Sequence, residues 1–291
     1  MTSSDLTPAK AAYRLTYILN TVADAQGAPR FPIDVRTLAL EAASIFRFDD
    51  PITQVEAANI NRFEGALIPD DARRKWMLLY NDGLSSSGRI RFTQAHELGH
   101  YLVHRTKAEK FQCSQDDLLG APEGGRAIEG EADSFAATLL MPLDDFRAQA
   151  TSAPDFEFLG HCADRYGVSL TAATLRWLEH TEHAAVLVVH RDGYMRWAKS
   201  SDAALKNGAF FRTRQSVIEV PAACVGLDTA VSTDRKGRAM PAPVWFPHAP
   251  SGTELVEMKI TADQYEWTMS LLVLPRGLAV WKPREHDSLD E

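Results

Sequence analysis

The chain has 291 residues, a net charge of −8 from 31 Lys and Arg against 39 Asp and Glu, and is 45% hydrophobic with 24% charged residues. That balance excludes wholesale disorder, and the length suffices to bury a core without disulfide or metal staples. The longest apolar runs fall far short of the ~20 residues a membrane span needs, and the acidic balance argues against a whole-surface nucleic-acid binder.

In chain order, Ala9, Ala12, Leu15, Tyr17, Ile18 and Leu19 predict a helix from Pro8 to about Ala25, stopped by Gly27 and Pro29. Val35, Leu38, Ala39 and Ala42 predict a second helix after Pro32, and Asp49-Asp50-Pro51 reads as a turn. Phe63–Pro69 reads as a short strand, and Lys75–Asn81 as a buried strand ended by Asp82-Gly83. Ser85–Gly88 forms a cap region ahead of a helix over Arg89–Arg105, with Phe92, Ala95, Leu98 and Leu102 on its apolar face. The glycine-containing stretch Phe111–Arg126 is expected to be loop, and Ala127–Met141 a helix ended by Pro142. A short helical piece over Pro142–Ala150 follows, then two helices over Leu159–Glu179 broken at Gly167-Val168-Ser169. From Glu182 the character changes. Ala184–His190 and Tyr194–Trp197 flank Asp192-Gly193 as a hairpin, and strands are expected at Ser216–Val220, Thr253–Ile260, Thr268–Leu274 and Leu278–Trp281. The expected fold class is α+β: a mostly helical domain with a small sheet over 1–150, a helix-turn-helix-like segment over 151–182, and a β-rich C-terminal domain over 183–291.

The strongest chemical signal is His96-Glu97-Leu98-Gly99-His100. Two histidines four apart share one helix face, so both imidazoles can reach a single zinc at about 2.0–2.1 Å. Glu97 lies about 100° round from His96, near the metal without coordinating it. A carboxylate there can take the proton of a water activated by the metal.

A zinc hydrolase needs a third protein ligand and an open fourth position. Glu129 and Asp133 lie one turn apart on the predicted helix over Ala127–Met141. Glu129 can complete the site, and Asp133 can accept the Nδ1–H of a ligand histidine and so fix its tautomer. Glu131 is the rival ligand; it points about 200° from Glu129, and the shared face of Asp133 favours Glu129. Two neutral histidines and one carboxylate leave a net +1 on Zn²⁺, which keeps it a useful Lewis acid. The apolar stripe Ala132, Phe135, Ala136, Leu139, Leu140 should pack this helix on the core, its small alanines letting the two helices approach closely.

Arg91-Phe-Thr-Gln-Ala-His-Glu-Leu-Gly-His-Tyr-Leu-Val-His104, followed by Glu129-Gly-Glu-Ala-Asp-Ser-Phe-Ala-Ala-Thr-Leu-Leu-Met-Pro142, closely resembles the ImmA/IrrE family of zinc metallopeptidases. The resemblance covers roughly residues 30–180, taking in the strand at Trp76–Asn81 and the Tyr166-Gly-Val-Ser169 segment. It implies a gluzincin-like, zincin-type metallopeptidase fold in a bacterial or phage cytoplasm. It implies His96, His100 and Glu129 as metal ligands and Glu97 as general base, with zinc as the metal and Mn²⁺ as the alternative. The implied partner is a protein substrate, a helix-turn-helix transcriptional repressor cut once to induce stress or mobile-element genes. The resemblance fixes nothing in the first 30 residues or after about 183.

The tetrahedral oxyanion of peptide hydrolysis needs a further donor. Tyr101, His104 and Arg126 are near in sequence, and spacing assigns none of them. The strand Lys75–Asn81 reads either as an edge for a substrate strand or as a plain core strand. The helices around Gly167 have a helix-turn-helix rhythm, but Thr171, Thr174 and Arg176 offer few base-reading groups, so direct DNA binding is not expected. Cys113, Cys162 and Cys224 read as reduced thiols of a cytoplasmic protein, the last two as small core residues and Cys113 as a loop thiol. Met1-Thr-Ser-Ser-Asp5 has neither a basic nor an apolar signal region, in keeping with a cytoplasmic setting without a membrane partner. Trp197, Trp245, Trp267 and Trp281 are expected to fill a β core. The rival functions are a DNA-binding regulator on a metallopeptidase scaffold, a metal-gated module that binds a repressor without cutting it, and a general degradative protease.

Overall fold

A computed structural model describes residues 6–59, 63–84, 86–106, 111–113, 123–149, 154–262 and 266–282. The fold is α+β with a strand-rich C-terminal part. Two compact units form, one from Met1–Ala150 with His161–Ala172, the other from Thr151–Gly160 with Ala173–Glu291. The helix-turn-helix-like segment is therefore shared between the units.

In the first unit, helix α1 (Pro8–Gln26) starts at a Thr7 cap and ends at Gly27, whose φ of 60° is the left-handed conformation that terminates helices. Helix α2 (Val35–Phe46) is capped by Asp34 and buries Val35, Leu38, Ala39 and Ala42, the predicted face. Strands β1 (Ile52–Ala58), β2 (Gly65–Pro69), β3 (Trp76–Asn81) and β4 (Phe111–Cys113) form one sheet in the order β1-β3-β2-β4. Strand β3 runs parallel to β1 and antiparallel to β2. It is thus an interior strand, with Trp76 and Leu78 buried, and has no edge on which to lay a substrate.

Helix α3 (Ser87–Gly99) begins at a Ser86 cap, where Arg89 N–H donates to Ser86 Oγ at 3.2 Å. It passes directly into a π-helical turn at His100–His104. Helix α4 (Glu123–Leu140) starts four residues before the expected Ala127, and β4 also falls in the stretch expected to be loop. Its predicted stripe, Ala132, Phe135, Ala136, Leu139 and Leu140, is fully buried. Helix α5 (Leu143–Gln149) follows, then α6 (Phe156–Tyr166) and α7 (Leu170–His180), broken at Gly167 with φ 59°. Thr174 is fully buried and Arg176 nearly so, which removes both from any DNA-reading surface.

In the second unit, strands β5 (Ala185–Arg191) and β6 (Tyr194–Ser200) form the predicted hairpin, with positive φ at both Asp192 and Gly193. Short helix α8 (Asp202–Lys206) precedes β7 (Thr233–Pro241), β8 (Glu254–Ala262) and β9 (Trp267–Val273). The five-stranded antiparallel sheet has the order β6-β5-β9-β8-β7. The expected strands at 216–220 and 278–281 are absent; the first contributes one isolated bridge, Tyr194 to Glu219. Of the four tryptophans expected in the β core, only Trp245 is buried; Trp197 and Trp267 are half-buried and Trp281 is exposed. Cys162 and Cys224 are buried as expected, and burial pushes both thiols up to about 11. Among the described residues no helix is long and apolar enough to cross a membrane.

The second unit holds a buried polar cluster. The Glu257 carboxylate, fully buried, accepts from Val225 N–H (3.1 Å), Gly226 N–H (2.7 Å), Trp245 Nε1 (2.8 Å) and Ser270 Oγ (3.2 Å). Four donors satisfy this buried carboxyl group and offset its desolvation. His190 lies beside them, 2% exposed, and burial together with Lys259 pushes it down to about 4. Above its unfolded pKa of about 6.5 it is neutral in both states and costs nothing. As pH falls from there toward 4 the unfolded chain takes the proton first, so stability drops by up to about 3 kcal/mol. Denaturant unfolding at pH 7 and pH 4.5 should show this loss, and His190→Leu should reduce it; equal pH slopes in the two proteins would exclude His190 as a cause.

Candidate metal centre

Two glycines let the site assemble. A Cβ on Gly99 would come within 2.9 Å of Phe135 Cδ1 and 3.3 Å of Ala132 Cα, so α3 and α4 pack here almost backbone to backbone. That approach brings the histidines of α3 and its π turn to the carboxylates of α4. A Cβ on Gly65 would come within 2.7 Å of Glu97 Oε1 and 2.6 Å of Thr93 Cγ2. The buried Glu97 side chain therefore rests against bare backbone of β2. Glu64, the residue before Gly65, forms an ion pair with Arg89, whose Nε donates to Glu64 Oε2 at 3.1 Å.

His96, His100 and Glu129 converge, each offering one ligand atom to a common point. His96 Nε2 lies 3.0 Å from His100 Nε2 and 3.1 Å from Glu129 Oε2, and His100 Nε2 lies 3.5 Å from the same oxygen. Tetrahedral zinc with ligands at 2.0–2.1 Å sets them about 3.3–3.4 Å apart. The triangle has that size, and two imidazoles with one carboxylate are a normal zinc donor set, so the residues fit the metal.

The protonation states fit as well. Burial, opposed by the contact with Glu129, pushes His100 down to about 4 and so keeps it neutral. Burial alone would raise Glu129, but its contacts with the His100 and His96 Nε2 atoms outweigh it and hold the carboxyl well below the usual carboxylate range. His96 Nδ1 meets Asp133 Oδ1 at 2.8 Å; a proton on that nitrogen leaves Nε2 bare to coordinate.

The remaining predicted residues fall elsewhere. Glu131 does not join the triangle; its Oε2 lies 2.8 Å from His104 Nε2. His104 is fully buried behind His100, with the two Nδ1 atoms 3.1 Å apart. The Tyr101 hydroxyl donates to the Asp50 carbonyl at 3.0 Å, and burial with Asp50 pushes its pKa well above the ordinary value. Tyr101 is thus held away from the three converging groups. The side chains of Arg126 and Cys113 lie outside the described residues. Sequence reasoning did not single out Gly65 or Gly99; a glycine inside a strand, as at Gly65, is the available signal of close approach.

Residues 32–178, half of the chain, match the family model Peptidase_M78, described as an IrrE N-terminal-like domain. No curated protein matches the chain.

Proposed function

The chain belongs to the IrrE N-terminal-like peptidase family, and from that premise we propose a zinc-dependent endopeptidase that cleaves one specific protein. The observation that carries this reading is the His96–His100–Glu129 triangle, with edges of 3.0, 3.1 and 3.5 Å. In this reading His96, His100 and Glu129 are the metal ligands, Asp133 orients His96, and Glu97 is the general base. Zinc, with Mn²⁺ as the alternative, would supply Lewis acidity at the scissile carbonyl and a water of lowered pKa.

This chain's own groups do the rest. Glu97 is the residue next to a ligand histidine, its carboxylate seated against Gly65 and Thr93. It takes the proton of the attacking water and later passes it to the leaving amine nitrogen. Burial of Glu97, His100 and His104 limits water around that transfer and strengthens each electrostatic contact.

The substrate in this reading is a helix-turn-helix repressor, cut in the cytoplasm to release stress or mobile-element genes. Residues 1–150 form the metallopeptidase domain, and the β-rich part after 183 selects substrate or regulates. The test incubates zinc-loaded protein with candidate helix-turn-helix repressors and, separately, with unrelated unfolded proteins. One pair of repressor fragments that grows with time and vanishes with chelator is expected. Fragments from every unfolded protein would favour a degradative protease. Tight repressor binding without fragments would favour a sequestering module.

A further inference from the structure

We infer that His104 and Glu131 are positioning residues that select the metal-binding tautomer of His100, an inference that rests on the metal-centre reading above. The two ligand histidines are supported differently. His96 Nδ1 meets a carboxylate directly, Asp133 at 2.8 Å. His100 Nδ1 instead faces another imidazole, His104 Nδ1, at 3.1 Å, and His104 Nε2 faces Glu131 Oε2 at 2.8 Å. The rings of His96, His100 and His104 follow one another in a row, the first pair edge-to-face and the second tilted, with centroids 4.7 Å and 5.2 Å apart.

Only one proton fits between two facing ring nitrogens. The Glu131 carboxylate accepts and does not donate, so the His104 proton belongs on Nε2. Neutral His104 then offers a bare Nδ1, which can only accept. His100 must therefore carry its proton on Nδ1 and leave Nε2 bare, toward His96 and Glu129. The reverse arrangement would put a proton on His100 Nε2, where the metal binds, and would leave His104 Nε2 without a proton for Glu131. With His104 neutral, one scheme satisfies these three contacts, and it is the coordinating one. Glu131 thus does for His100, through one intervening ring, what Asp133 does for His96. The π turn at His100–His104 serves this geometry: an α-helix drifts about 40° over four residues, and a wider turn counters that drift.

The experiment measures zinc affinity by chelator competition in wild type, Glu131→Ala, Glu131→Gln, His104→Phe and the Glu131→Ala/His104→Phe pair. Histidine ¹⁵N NMR of the zinc-loaded wild type reads the tautomers. Glu131→Ala and His104→Phe should each weaken zinc roughly 10–100-fold. The double variant should be no worse than His104→Phe, since the chain is already cut, and Glu131→Gln should keep part of the affinity because its amide oxygen still accepts. His104 should be protonated at Nε2 and bare at Nδ1. Glu131 is half-exposed on its helix, so its variants report even where His104→Phe does not fold. Wild-type affinity in Glu131→Ala, or a His104 Nδ1–H, would overturn the relay while leaving the metal centre standing. A wild type that binds no zinc would overturn both.

Discussion

Glu97→Gln is expected to leave one zinc per chain in place and to slow repressor cleavage by roughly 10²–10⁴-fold, the usual share of a general base. That range is about 3–5 kcal/mol of barrier. Metal binding should survive because Glu97 stands outside the triangle formed by His96, His100 and Glu129. Folding should survive because the amide has the shape of the carboxylate that now fills the space over Gly65 and beside Thr93. What the amide lacks is a site for the proton, both when water attacks and when the amine leaves. Single-turnover cleavage with equal zinc loading separates these effects. A full rate in Glu97→Gln would assign the proton transfer to another group. A lost rate accompanied by lost zinc would make Glu97 a structural support of the ligands.

The three converging groups were legible because their geometry is local. His96 and His100 are four apart on one helix, and Glu129 and Asp133 repeat that spacing on the next. Each pair is brought to one face by helical periodicity alone. What joins the pairs was not legible, since the approach of α3 and α4 at Gly99 and the seat of Glu97 on Gly65 are tertiary contacts. The role of His104 was hidden for a second reason. Its place behind His100 depends on a π turn, which no simple hydrophobic period announces. The missed strands have physical explanations too. Strand β1 buries Ile52 and Val55, three apart, and its pairing shifts between Ile52 and Gln54, so it lacks the alternation that marks a strand. Strand β7, Thr233–Pro241, is a charged edge strand with almost no apolar face. The hairpin at Asp192-Gly193 was legible because its turn demands positive φ at both positions, and aspartate with glycine meets that demand.

Glu129→Ala should have the largest effect on the metal, a loss of zinc affinity well beyond the roughly 10–100-fold expected for an outer partner. The substitution removes the anion from the triangle and leaves two neutral imidazoles facing each other at 3.0 Å. Two neutral ligands neither complete a tetrahedral protein site nor offset the charge of a divalent ion. Asp133→Asn should cost less, because its carboxylate meets His96 at Nδ1, on the far side of the ring from the coordinating nitrogen. Elemental analysis after dialysis against a graded chelator gives the order directly. Zinc should go first from Glu129→Ala and His100→Ala, later from Asp133→Asn and Glu131→Ala, and last from the wild type. If Glu131→Ala lost zinc as early as Glu129→Ala, the two carboxylates would share the metal. That would require Glu131 to leave the 2.8 Å contact with His104, and His104 would then carry a different tautomer in the loaded protein. The order of zinc loss therefore tests the choice of third ligand and the protonation scheme behind His100 in one series.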